Sequence, residues 1–247
     1  MSNFELAKNF FLEGLNDLEN RRYEDAETKL RRSLELLPDR VSTLTNLSAA
    51  LIRLQKYAEA ELFLRKIISL DPEAAEAWLN LGLIEADIRN NHQMAVGMFE
   101  SALRINPAYA VAWVNLGLAY RRLQVLERAA ECYDQAIAMA PDLAEAYACR
   151  GRLRSERGDK TQALADLKTA YALNPEADYL LGDLLLAKAS VCDWGGMDEL
   201  TAHLVAGIDI GARRTPPFNL LSLVDLPAVQ KKAAETWVQD KIQGPRH

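Results

Sequence analysis

Little in these 247 residues invites a catalytic, metal-binding or membrane reading. The three cysteines, Cys132, Cys149 and Cys192, form no CxxC. That excludes a disulfide framework and a zinc ribbon, and suits a reducing, cytoplasmic setting. Twelve glycines and nine prolines are too few for a turn-rich sandwich or barrel. There is no GxGxxG in strand-and-helix context and no glycine-rich phosphate loop, so no cofactor is expected. His92, His203 and His247 are scattered, and none suggests a metal or a catalytic residue. A net charge of −6 gives no general pull toward nucleic acid or anionic lipid. The most apolar stretch, 179–191, is too short to span a bilayer and carries Asp183 and Lys188. The N-terminal MSNFELAKNFFLEGL lacks the basic start and apolar run of a signal peptide.

What is present is a period. Pro38, Pro72, Pro107, Pro141 and Pro175 are separated by 34, 35, 34 and 34 residues. A proline cannot continue a helix, so each stops one. Twelve residues before them stand Ala26, Ala60, Ala95, Ala129 and Ala163, where two helix backbones must approach closely. Eight before stand the large residues Leu30, Leu64, Phe99, Tyr133 and Leu167, and five before stand Ser33, Ile67, Ala102, Ala136 and Ala170. Further upstream, Gly14, Ser48, Gly82, Gly117 and Gly151 share one place, and Phe10, Leu44, Trp78, Trp113 and Tyr147 another. Trp78 and Trp113 therefore read as packing residues. The third copy has one extra residue near Asn90–His92, which predicts a longer turn between its helices.

These places resemble the tetratricopeptide repeat (TPR), most clearly in Trp113 to Pro141, and the resemblance covers about residues 7–177. It implies an all-α fold: a right-handed superhelical solenoid of about five helix pairs over 1–177, each pair burying its apolar face against the next. Two residues beyond the aromatic place come Leu12, Asn46, Asn80, Asn115 and Cys149. Asparagine is a mediocre helix former, so propensity does not explain three in register. Its amide both donates and accepts, and can pair with an extended main chain whatever its side chains. The repeat resemblance places this row on the concave face. The expected partner is an extended polypeptide, gripped by Asn46, Asn80 and Asn115, with Arg121 and Arg122 further along the same helix adding charge.

Beyond Ala177 the pattern changes. Helices are expected over 178–190, up to Ile208 and over 227–242, with residues 178–247 forming a cap and linker. The order Cys192-Asp193-Trp194, Pro216-Pro217-Phe218, Asp225 and Pro227 is similar to the junction that follows the repeats in SPINDLY-type protein O-linked N-acetylglucosamine transferases. That resemblance implies the acceptor-protein-binding part of such a glycosyltransferase. The two Rossmann-like lobes that bind UDP-sugar in that family have no matching residues here, so no catalytic residue carries over and the chain as it stands is expected to be non-catalytic. The alternative is a free-standing adaptor or scaffold. Trp194 is expected to be packed and Asp193 to cap the helix starting near Met197. Apolar surface left on 178–247 could drive self-association.

Overall fold

The computed structural model describes residues 2–243, with side chains through 240. Every regular element among them is helical: α1 Asn3–Glu19, α2 Tyr23–Leu36, α3 Val41–Arg53, α4 Tyr57–Leu70, α5 Ala75–Leu83 and α6 His92–Ile105, then α7 Ala110–Arg122, α8 Leu126–Met139, α9 Ala144–Arg157, α10 Lys160–Leu173, α11 Leu180–Ser190, α12 Met197–Asp209, the short α13 Pro217–Leu220 and α14 Pro227–Gln243. The chain forms two compact units, dividing after Pro107. The first holds three helix pairs, α1–α6. The second holds two more, α7–α10, and the C-terminal helices.

Each pair is closed by the same local device. The first helix ends in a residue with left-handed backbone: Arg21, Gln55, Asn90, Gln124 and, in the fifth pair, Gly158, at φ between 53° and 86°. The next amide then reaches back to a carbonyl five residues earlier, as in Lys56 N to Leu51 O (2.8 Å) and Val125 N to Tyr120 O (2.9 Å), which satisfies a carbonyl the helix end would otherwise leave open. In the third pair that bond spans six residues, from Asn91 N to Glu85 O at 2.8 Å. The extra residue has not lengthened the turn, as the sequence predicts. It is absorbed as a π-helical turn, Ile84–Ile88, that continues α5, the form in which an insertion keeps the flanking helix and its hydrogen bonds.

Packing follows the register of the prolines. All five alanines of the close-approach row are fully buried, and the five large residues opposite are at most 1% exposed. A Cβ added to Gly117 would stand 2.5 Å from the Tyr133 ring, and one on Gly82 would stand 2.4 Å from Phe99. Glycine is thus demanded by contact with a large plug. Where the plug is Leu64, a serine fits instead, and Ser48 turns its hydroxyl back to Leu44 O at 2.8 Å. Trp78 and Trp113 pack, half-buried, against these cores.

In the second unit α11 keeps the repeat's phase. Its residues five, seven, ten and twelve beyond Pro175 (Leu180, Gly182, Leu185 and Ala187) are buried, as are Ala146, Ala148, Gly151 and Leu153 at the same distances from Pro141. Its first turn is capped from a distance. Tyr179 N donates to Arg213 O (2.5 Å) and Gly182 N to Arg214 O (3.0 Å), supplying acceptors for amides that a helix start leaves open. Leu181 and Leu185 join Leu204, Ile208, Leu220, Val224, Val229 and Ala233 in one apolar core.

Candidate functional site

First helices of successive pairs touch at α1 with α3 in the first unit and at α7 with α9 and α9 with α11 in the second, whereas successive second helices make no comparable contact. The first-helix side is therefore the shorter, inner side of each stack. Asp183, eight residues beyond Pro175, lies on that side of α11, where it receives Arg152 Nε of α9 at 2.5 Å.

The three asparagines of this row are half-buried. Asn46 and Asn80 belong to the first unit and Asn115 to the second. Asn46 Nδ2 donates to Ser42 O at 2.8 Å and Asn115 Nδ2 to Val111 O at 2.9 Å. These bonds to the preceding turn hold the amides in place and leave each one its carbonyl oxygen and a second N–H. Asn80 makes no side-chain hydrogen bond among the described residues. Leu12, at the same place in α1, is half exposed. Cys149, in the fifth pair, is buried, and burial pushes its thiol up to about 11. A thiol so poised stays protonated and serves packing.

Arg121 and Arg122 part company. Arg121 Nε donates to Glu156 Oε2 of α9 at 3.0 Å, and that carboxylate raises the pKa of its guanidinium. Arg122 is exposed and has no ion-pair partner among the described residues. The first helices of the second unit thus carry the Asn115 amide, the exposed Arg122 with no ion-pair partner among the described residues, and the ion pairs Arg121–Glu156 and Arg152–Asp183.

The turn after α11 departs from expectation. Trp194 is 63% exposed rather than packed, because Gly195 and Gly196 carry the chain away from the core before α12. Asp193 does not cap α12, whose preceding residue is Gly196 at φ 67°. Its carboxylate binds Lys188 Nζ (2.8 Å) and Lys168 Nζ (2.9 Å) and accepts from Gly195 N. Lys188, then Lys168, hold its pKa well below the usual carboxylate range. Lys188 is itself buried, so the pair answers a charge that would otherwise lie uncompensated. His203 Nδ1 sits 3.0 Å from Tyr171 Oη. Among the described residues no group of three or more His, Cys, Asp or Glu could hold a metal, and no helix is long and apolar enough to cross a membrane.

One surface feature was not anticipated. Leu186, Phe218, Asn219, Leu221 and Ser222 enclose a shallow apolar depression of about 330 Å³. Phe218 is 82% and Leu221 60% exposed. Leu186 stands eleven residues beyond Pro175, as Arg152 does beyond Pro141 and Leu118 beyond Pro107. Counting the register one step past the last proline finds Leu186 but not Phe218 or Leu221, which lie outside the repeat.

Helix pairs of constant length, closed by one turn type and stacked through one alanine row, define a helical-repeat protein of the α-solenoid class, built to offer an extended binding surface. The chain belongs to the tetratricopeptide-repeat family: one family model matches residues 11–73, 64–110 and 150–190, and a second matches 110–143. Among solved structures, Pseudomonas aeruginosa PilF is similar over 96% of this chain and 99% of its own, at 14% identity and TM-score 0.73. MamA covers 70% of this chain and 93% of its own, at 24% identity and TM-score 0.59. YrrB, described as a TPR protein with an unusual peptide-binding site, covers 73% and 90%, at 17% identity and TM-score 0.56. These likenesses show the fold. No curated protein sequence matches the chain.

Proposed function

We propose that this chain is a non-catalytic adaptor module that holds extended segments of partner protein against its first-helix faces, through the carboxamides of Asn46 and Asn80 in the first unit and of Asn115 in the second. The observation that carries this reading is the state of those amides. All three are half-buried, Asn46 and Asn115 are oriented by bonds to their own helices, and each of the three keeps an acceptor oxygen and at least one free N–H. Main-chain recognition asks for that pairing, and it tolerates many partner sequences. The peptide-binding site named for YrrB is in keeping with it.

Changing all three asparagines to alanine tests the reading. Affinity for selected peptides is expected to fall at least tenfold, with the melting temperature nearly unchanged. Unaltered affinity, or collapse of the fold, would show that the amides are structural.

A second reading places the module in front of a catalytic domain, as the acceptor-holding part of a protein O-GlcNAc transferase-like glycosyltransferase. The order of Cys192-Asp193-Trp194 and Pro216-Pro217-Phe218 favours it, and so does the exposed Trp194 on a turn pinned by two lysines. An in-frame downstream continuation encoding alternating strands and helices would support it, and a stop directly after codon 247 would sink it. By calorimetry, the chain as it stands is expected to give no saturable heat with UDP.

A further inference from the structure

We propose that the apolar depression of Leu186, Phe218 and Leu221 is an anchor pocket at the end of the second unit's inner face, and that it takes one large apolar side chain of the extended peptide whose main chain crosses Asn115. This rests on the reading above and adds to it a sequence requirement that backbone amides alone cannot impose.

Three observations identify the occupant. The first is continuity. Leu186 lies on α11 in phase with the repeat, one turn beyond Asp183, and Arg152–Asp183 joins α9 to α11 on this face. Leu186 is therefore in register with Leu118 of α7 and Arg152 of α9, one helical turn along from the places of Asn115 and Asp183. The second is presentation. Pro216 and Pro217 start α13, and proline at a helix start fixes the backbone angle in advance. Phe218 and Leu221 are thus held outward beside Leu186, while Leu220 is fully buried beneath them and ties the turn to the core. Burying such side chains against a matching one is the usual source of a dominant interface contact. The third is charge. Arg121, Arg152 and their carboxylate partners cancel one another, which leaves Arg122 as the uncommitted cation beside Asn115. A peptide carrying an acidic residue near its Asn115-bound segment and an apolar residue farther along complements this face.

The spacing follows from geometry. Packed helices lie about 8–10 Å apart, so two steps from α7 to α11 cover roughly 18 Å. An extended chain advances about 3.3 Å per residue. The anchor residue is therefore expected about six residues from the segment pinned at Asn115.

The test uses the full chain and a display library of random 15-residue peptides. Selected binders are expected to share an aromatic or large aliphatic residue at one position. The F218S/L221S variant should bind a selected peptide at least about tenfold more weakly, since one buried anchor commonly carries that much. It should lose nothing further when the peptide's own anchor is changed to alanine. Both side chains are exposed, so the fold should survive. Asn115→Ala should weaken every peptide alike and leave the anchor preference intact. If only the pocket variant matters, the amide reading fails and the pocket stands. Three results overturn the proposal: binders without an apolar preference, equal affinity of F218S/L221S and the parent, or a library that yields no binder. A fourth is a parent dimer in sedimentation that F218S/L221S converts to monomer, since a second copy would then cover the pocket.

Discussion

The repeat pairs and the C-terminal cap solve the same problems by opposite means. In the pairs, a helix end is closed by the residue that follows it, and a close approach is met by glycine or alanine at a fixed distance from a proline. Five left-handed turns and five buried alanines repeat one solution. In the cap, α11 is closed by carbonyls from Arg213 and Arg214, more than thirty residues away. Its close approaches are Gly182 against Thr215 and Gly207 against Arg214. The pairs are built from rules of short reach that a sequence displays. The cap is built from one buried loop whose partners are chosen by the tertiary fold.

The largest expected effect probes the repeat rule. The Cβ of Gly117→Ala would stand 2.5 Å from the Tyr133 ring, which cannot bend, whereas that of Gly14→Ala meets a leucine side chain at 2.8 Å. Overpacking of this kind costs about 1–3 kcal/mol. Gly117→Ala is expected near the upper end and Gly14→Ala near the lower, measured by urea unfolding. The second unit should regain part of the loss in G117A/Y133L, because a leucine plug can shift away from the added methyl where a rigid ring cannot. Equal losses in the two single variants would mean that the plug's stiffness is irrelevant.

The next effect probes the cap. The Arg214 side chain is buried, donates to Pro175 O at 3.2 Å and pairs with Glu176, whose pKa it lowers. Arg214→Ala removes the packing against Gly207 and leaves the Pro175 carbonyl without that donor. A loss of about 2 kcal/mol is expected. It should be confined to the C-terminal helices, and hydrogen exchange should quicken at the Tyr179 and Gly182 amides while the α7–α8 amides keep their protection. Uniform quickening throughout the second unit would show that cap and pairs unfold as one.

This contrast explains what was legible in the sequence. Helix pairs, turns and core rows followed from proline spacing, because each is decided within about thirty-five residues. The asparagine row could be assigned to the first helices for the same reason. The π turn was misread, since counting residues locates an insertion but does not say whether a turn or a helix absorbs it. Trp194 was misread because an aromatic residue in a turn is exposed or buried according to neighbours that only the fold supplies. The Phe218 pocket went unseen because α13 is anchored by Leu220 through a long-range core, which no local period announces.

The smallest effect tests whether the repeat register can diagnose a flaw. Five residues beyond the proline stand Ala77, Ala112 and Ala146, but in the second pair Thr43. Thr43 is fully buried and its hydroxyl has no hydrogen-bond partner among the described residues. An unsatisfied buried hydroxyl costs about 1–3 kcal/mol, and threonine is less helical than alanine by up to about 0.7 kcal/mol. Against this, Thr43→Ala gives up the burial of one methyl, near 0.8 kcal/mol. The balance favours alanine by about 1 kcal/mol, so the substitution should stabilise the first unit and slow exchange of the α3 amides. Thr43→Val separates the two contributions. It removes the hydroxyl and keeps the volume, so a gain with valine alone would mean the methyl outweighs helix propensity. A loss with both would mean that the hydroxyl is satisfied in solution and that the register does not mark the residue as misplaced.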